Sequence, residues 1–499
     1  MKNIKKLKLY LSIFALIVLI SSCEDDLNQV PPSELSTASF WKTNAQAELG
    51  IGAIYDAMQL HYATRIFYYG ELRADNYINS ASASGTALNL VANALQENDG
   101  NVSNWTNLYR MIARANDAIA NIPNIPGYNT SLLAEAYALR AYAYFDIVRV
   151  WDGAPVFLEP VKSLDDNLSR PATNGATIMN DIVIPDMIKA EELMQNQFNE
   201  YRFSQTSIWA FQATVYMWIN DYTNARTYLE LVENSPQFSL VKNREDWSHL
   251  FLNDINTSQF FQEGSELILS LNFELAAGDR GGIYGLYFAG IPSIYLAPDL
   301  ENRWIEEYPT DSLSWVARYP DPADLPKTYV LDAEGNETNT RLFGDWRYFE
   351  SRETGTEIGD ARVAKWNKSN YNPTVDDTDI VLFRYSDMIL MLAEVENEDD
   401  KPIEAYELLN RVRNSRQLPD YPIAEWNAKS KDEREMVILD ERQLELLGEA
   451  KRWWDLRRTG RVLDVVAPIS NLTPQTILFP YFLDHVLQNT ELEQIEGYR

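Results

Sequence analysis

This chain of 499 residues holds a single cysteine, Cys23, and only three histidines, His61, His249 and His485. One cysteine excludes an intrachain disulfide framework and any cysteine-ligated metal. The histidines stand far apart, with no HExxH or HxH spacing. The usual parts of a zinc centre or a Ser-His-Asp triad are therefore missing, and neither a metal nor a cofactor is expected. Positive charge is also scarce: 43 Lys and Arg face 73 Asp and Glu, for a net charge of −30. A surface this acidic does not follow a phosphate backbone, so no nucleic-acid partner is expected. Long apolar runs are absent as well. The most apolar stretch, residues 9–20, falls well short of the roughly 20 residues that span a bilayer.

That short run has a specific setting. Lys2, Lys5, Lys6 and Lys8 precede it, and Ile20-Ser21-Ser22-Cys23 follows it. A basic start, a short apolar core and small residues before a cysteine read as a bacterial leader. Its cleavage would leave Cys23 as a lipidated N-terminus. Acyl chains bind a membrane at roughly 0.8 kcal/mol per buried CH₂, so several chains anchor permanently. Residues 1–22 are then a signal peptide and residues 23–43 a lipidated tether and docking segment. In that tether Glu24-Asp25-Asp26 is a solvated acidic run, Pro31-Pro32 forbids helix, and Phe40-Trp41 plugs the segment onto the body. Loss of the four leader lysines takes the net charge from −30 to −34.

Residues 44–499 read as a single body, mainly α-helical. Ala47, Ile51, Ile54, Tyr55 and Met58 recur at helical spacing, as do Leu132, Ala136, Leu139, Ala143, Ile147 and Val150. Residues 70–103 break the period and read as a long loop. Two segments read as helix–turn–helix pairs. One runs from Ile208 to Val232 with a turn at Asn220-Asp221. The other has a helix over residues 380–396, a turn ending in Lys401-Pro402 and a second helix to Arg413. Each is close to a tetratricopeptide unit of about 34 residues, so the helical repeats are expected over about 103–235 and 380–460. Between them, residues 236–379 scatter Gly, Pro, Asp and aromatics without a period. They read as a loop-rich, partly β, ligand-facing excursion in which residues 267–271 form a strand.

Several separated motifs then resemble one family. Asp26-Leu27, Pro31-Pro32-Ser33 and Phe40-Trp41 are similar to the segment after the lipidated cysteine in the SusD/RagB family. Leu139-Arg140-Ala141 with Gly153-Ala154-Pro155 resembles that family's alanine-rich helix and its exit, and Arg384-Tyr385-Ser386-Asp387-Met388 with Ala393-Glu394 resembles its later helix. The sharpest match is Glu441-Arg442, Glu445-Leu446, Gly448-Glu449 and the run from Arg452 to Arg458, followed by Asn489, Leu492, Gln494 and Gly497-Tyr498. Ala450 departs from the glycine usual in the family, and Val395-Glu396 from its Ala-Leu. The resemblance implies a SusD-like α/α fold in a non-catalytic, outward-facing outer-membrane lipoprotein. It also implies a glycan ligand and a SusC-like TonB-dependent transporter as partner. Glu24-Asp25-Asp26 resembles the family's acidic surface-export signal, or is a plain acidic linker.

Sugars present flat C–H faces to aromatic rings and hydroxyls to Asn, Asp and Arg. The candidate ligand residues are accordingly Arg73, Asp75, Asn76 and Tyr77 in the first loop, with Asn98 and Asn101 beyond them. In the excursion they are Tyr284, Tyr287, Tyr295, Trp304 and Trp315, with Trp346 and Trp366 in the same region. Core packing is an equal reading for each ring. The C-terminal block reads as a structural staple: Glu445 and Glu449, one helical turn apart with Glu441, meet Arg452, Arg457 and Arg458, while Trp453 and Trp454 plug the core and Asp455 joins the pairs. Three other readings stay open. These are peptide capture on the same architecture, a protein-interaction scaffold, and a surface glycoside hydrolase, for which no motif nominates a carboxylate pair.

Overall fold

The computed structural model describes residues 40–161, 168–251, 262–273, 281–287, 292–333, 335–366 and 378–499. The leader, Cys23 and most of the tether lie outside the described residues. Trp41 is described. It packs on the core, and its indole lies so close to Gly50 that a Cβ there would stand 2.4 Å from the ring.

The longer helices are numbered in chain order. Thr43 caps α1 (Asn44–Gly70), accepting the Gln46 amide at 3.3 Å. Next come α2 (Thr106–Asn121) and α3 (Thr130–Trp151). Asn129 caps α3, and Asp152 ends it in the left-handed conformation at φ 57°. Ala134, Ala136, Ala138, Ala141 and Ala143 are all buried, so neighbours approach α3 closely on every side. A helix buried on nearly every face, its Glu135, Arg140 and Asp146 included, belongs at the centre of a large body. Here α1, α2 and α4 (Ile184–Leu193) surround it. No helix among the described residues is long and apolar enough to cross a membrane.

Two antiparallel pairs follow. The first is α5 (Gln205–Trp218) and α6 (Tyr222–Glu233), turning at Asn220 with φ 58°. The second is α8 (Tyr385–Glu398) and α9 (Pro402–Ser415), turning at Asp400 with φ 57° and opening α9 on a proline. Both turns place a short polar residue where a left-handed residue is required. α6 lies on α8, so the pairs stack although about 150 residues separate them. Between them in sequence lies α7 (Pro298–Glu307), and α10 (Lys431–Glu445) and α11 (Arg452–Arg458) close the stack. The fold is mainly helical with small sheets.

Three expectations are corrected here. Residues 380–384 are not helical: β4 (Ile380–Arg384) pairs antiparallel with β2 (Leu267–Leu271), and both strands are fully buried. Ile380-Val381-Leu382-Phe383 is a β-branched and aromatic run, which suits a pleated core strand. Residues 70–103 are not one loop: they hold β1 (Tyr77–Asn79) and helices at Gly85–Val91 and Gly100–Ser103. β1 pairs with β3 (Ile294–Leu296), so the first loop and the excursion are joined by a ladder. Finally, Glu441, Glu445 and Glu449 do not share one helix. α10 ends at Glu445, Gly448 and Ala450 take φ of 76° and 60°, and Glu449 reaches inward from that turn.

Candidate functional site

Most of the proposed ligand residues are buried and already spent. Arg73 lies between Trp453 and Phe479, at 4.2 and 4.6 Å from the ring centroids. It donates to Asn93 Oδ1 at 2.8 Å and to the carbonyls of Ile477 and Thr476 at 2.8 and 2.6 Å. Burial lowers its pKa to about 10. Asn76 and Tyr77 donate to Glu71 Oε1 at 2.7 and 3.0 Å, and Tyr287 stands against Tyr77. Burial raises the Glu71 carboxyl despite these donors. Trp304 donates to Asp345 Oδ2, and Trp315 to the Asp324 carbonyl, both at 2.9 Å. Each indole is 1% exposed. Trp346 and Trp366 are equally enclosed. As ligand-contacting groups, Arg73, Asn76, Tyr287, Trp304 and Trp315 are therefore corrected, and Tyr77 is corrected as a stacking ring. Aromatic bodies with one polar edge bury well once that edge finds a partner, and here it does. Tyr284 falls in the helix Ile283–Tyr287, with its side chain outside the described residues.

Two candidates reach an opening. A groove of about 930 Å³ runs between β1, α7 and residues 465–471. Asp75 and Tyr77 stand in its wall, at 7% and 3% exposure. Ile78 opposes Tyr295 across the β1–β3 ladder, and opposed residues share a face. That face is the exposed one, where Ile78 lines the groove and half-buried Tyr295 adjoins it. α7 is amphipathic. Leu300 and Trp304 turn inward, while Asp299, Asn302 and Glu306 stand exposed along the groove. Exposed Ile469 and Asn471 form the opposite wall, with Asn471 donating to the Ala92 carbonyl at 2.9 Å. Among the described residues the Asn302 amide has no partner, so its donors and acceptor remain for a ligand.

Arg303 links this groove to the protein interior. It bonds Asp75 Oδ2 at 3.3 Å and Gln443 Oε1 at 3.0 Å. Asp75 also accepts Arg452 in a fork, at 2.9 and 3.1 Å. Burial alone would raise the Asp75 carboxyl, but Arg452, with Arg303 behind it, brings it down to about 2. Arg303 and Glu306 also border a second hollow of about 700 Å³ across α7. That hollow is densely charged, by Glu307, Arg318, Arg413, Glu425, Lys429 and Asp432 among others.

Behind the groove the C-terminal block is saturated with ion pairs. Glu445 is fully buried and accepts Arg347 and Arg384 at 2.6 Å each and Arg416 at 2.8 and 3.1 Å. Burial would raise this carboxyl, yet Arg416, Arg384 and Arg347 hold it well below its ordinary value. Glu449 meets Arg384 at 2.7 Å and also contacts Lys365, whose pKa burial lowers to about 8. Asp455 joins Arg442 and Arg458, which forks onto Glu394 at 2.7 Å. Arg457 donates to the Arg149 carbonyl. Trp453 is 0% exposed, and Trp454 meets Trp218 edge-on.

A stack of helical pairs with small sheets and an open, polar-walled groove places the molecule in a class of helical proteins with the fold of solved SusD superfamily structures. Family models match in two parts: one described as "SusD family" over residues 328–473, and one described as "Starch-binding associating with outer membrane" over residues 27–217. SusD-like protein P38 of Formosa agariphila is 42% identical, across 99% of each chain. SusD-like protein P25 of the same organism is 25% identical, across 95% of this chain and 94% of its own. The chain belongs to the SusD family, a group of non-catalytic binding proteins. Its fold matches a SusD superfamily protein of Bacteroides thetaiotaomicron at TM-score 0.70, with 21% identity, covering 92% of this chain and 99% of that one. A laminarin-binding SusD-like protein matches at 0.67, with 20% identity, covering 92% and 100%.

Sequence reasoning missed Asp299, Asn302, Arg303 and the 465–471 wall. The α7 residues carry an ordinary solvated-face pattern, which is also what a groove wall looks like in sequence. The 465–471 wall lies almost 400 residues from β1 in sequence, and no local signal joins them.

Proposed function

We propose that this protein captures an oligosaccharide in the groove between β1, α7 and residues 465–471 and releases it intact to a SusC-like TonB-dependent transporter. In this reading Cys23 carries the lipid anchor, and the body faces the cell exterior. The observation that carries the reading is the pairing of free polar groups on Asp299 and Asn302 with exposed apolar faces at Ile78 and Ile469, around one open groove. A sugar needs both kinds of contact at once. Support comes also from the family description over residues 27–217, which names starch and the outer membrane.

Titration calorimetry against a panel of soluble polysaccharides, starch and laminarin included, tests the reading. Saturable heat is expected from at least one member, with no change in polymer length afterwards. Heat from none would end the glycan reading, and shortened polymer would end the non-catalytic one. Labelled palmitate should enter wild-type protein and not Cys23→Ala, and a large membrane protein should copurify.

A peptide cargo is the second reading. The charged hollow across α7, with Arg318, Arg413 and Lys429 among several carboxylates, suits a short zwitterionic chain better than a neutral sugar. Heat from mixed tripeptides in place of polysaccharide would select it.

A further inference from the structure

A hollow of about 610 Å³ shares no residue with the groove or with the charged hollow beside α7. It forms where the 194–204 connection and the start of α5 face the end of α6 and the turn that follows. Thr206 and Gln197 are joined through the backbone at 3.3 Å, and Gln205 bonds the Asn196 carbonyl at 2.8 Å, so the connection is held against α5. Phe198 meets Phe238 edge-on at 5.5 Å and ties the two lips together.

The chemistry of this lining differs from the rest of the surface. Glu230 is its single charged member, in a chain in which 23% of residues are charged. An ionic ligand would find almost no counter-charge there. Trp209 lies in the wall, half-buried. Its Nε1 donates to Glu191 Oε1 at 3.1 Å, and the Glu191 carboxylate also takes Gln212 Nε2 at 3.0 Å and the Tyr228 hydroxyl at 3.1 Å. Three donors fix that carboxylate, so the indole is held by its polar edge and its carbon surface serves the hollow. Leu231, 38% exposed, adds a second apolar surface.

The polar groups are amides and hydroxyls with bonding capacity to spare. The Gln197 side chain is exposed and has no partner among the described residues. Asn234 donates one amide hydrogen to the Glu230 carbonyl at 2.8 Å, which leaves its oxygen as an acceptor. Gln237 takes the Ser235 hydroxyl on its oxygen, which leaves its NH₂ as a donor. A pinned indole beside uncharged donors and acceptors matches a neutral pyranose, whose C–H face stacks and whose hydroxyls both give and take hydrogen bonds. We propose that this hollow is a second carbohydrate subsite, which holds a neutral stretch of polysaccharide away from the main groove. The inference rests on the glycan-capture reading given above.

The test uses the full-length mature protein and the panel polysaccharide that gives heat, followed by a hexasaccharide cut from it. Wild type should take up two hexasaccharides. Trp209→Ala should take up one, and its retardation in a gel containing the parent polysaccharide should weaken about tenfold, an ordinary loss for an aromatic anchor. Trp209 is half-buried, so Gln197→Ala/Gln237→Ala, at two exposed positions, provides a variant that keeps the core. It should weaken retardation in the same direction. One hexasaccharide per chain in wild type, with both variants retarded like wild type, would overturn the second subsite and leave glycan capture standing. No heat from any polysaccharide would overturn both. Tripeptide heat that disappears in Trp209→Ala would assign the hollow to peptide and overturn the proposal.

Discussion

The C-terminal block and the groove beside it use the same residue types for opposite ends. Glu445, Glu449 and Asp455 are buried, and every one is engaged by guanidinium or ammonium groups. Asp299, Asn302 and Glu306 stand a short way off on α7, exposed along an open groove. Burial decides the difference. A carboxylate removed from water needs cations or hydrogen-bond donors to replace the lost hydration, and one gripped by guanidinium groups becomes a fastener. One left in water keeps its hydrogen-bonding capacity for a ligand. Arg303 stands between the two regions, reaching Asp75, which the block's own Arg452 grips from the other side.

The comparison can be broken most severely at Glu445. Glu445→Gln leaves Arg347, Arg384 and Arg416 buried with one counter-charge fewer, and should cost about 3–5 kcal/mol in denaturant unfolding. A loss under 1 kcal/mol would mean that the pairs are solvated. Gly70→Ala follows at about 3 kcal/mol, because its Cβ would stand 2.1 Å from the Ala450 carbonyl oxygen and 2.7 Å from Trp454 Nε1. That substitution separates α1 from α11 without touching a charge, and thermal melting would read it.

Acid sharpens the contrast next. Asp75 and Asp387 are each held at about 2, against 3.8 for a free aspartate. Burial opposes this in both, and Arg452 beside Asp75 and Lys451 with Arg442 beside Asp387 overcome it. The folded state therefore binds fewer protons than the unfolded one between these values. Stability from each group is full above about pH 4 and is lost as pH falls through about 2, roughly 2 kcal/mol apiece. Unfolding free energies across that range should fall with pH in wild type, and less steeply in Asp75→Asn. The smallest effect on stability belongs to the groove. Asn302→Ala should leave unfolding within about 0.5 kcal/mol of wild type. Its signature should instead be an affinity for the bound glycan lowered about tenfold, read by calorimetry.

Local patterns carried part of this molecule openly. The 3.6-residue periods of α1 and α3 depend on near neighbours, so they are visible in a short window. The turns at Asn220 and Asp400 were marked by residues that tolerate positive φ. In sequence β4 reads as the start of a helix because a short apolar run fits either period, and only its pairing with β2 resolves it. The aromatics are ambiguous in sequence for a related reason. Nothing around Trp304 or Trp315 announces that Asp345 or the Asp324 carbonyl will receive its indole hydrogen.

The sequence by itself determined the helical class, the two helical pairs and the family, because each is written in runs of residues close along the chain. The tertiary structure alone decided which α7 side chains stayed free and where the groove opens. Those outcomes depend on β1, α7 and residues 465–471 meeting across almost 400 positions. Exposure to water is a property of that meeting and of no residue taken alone.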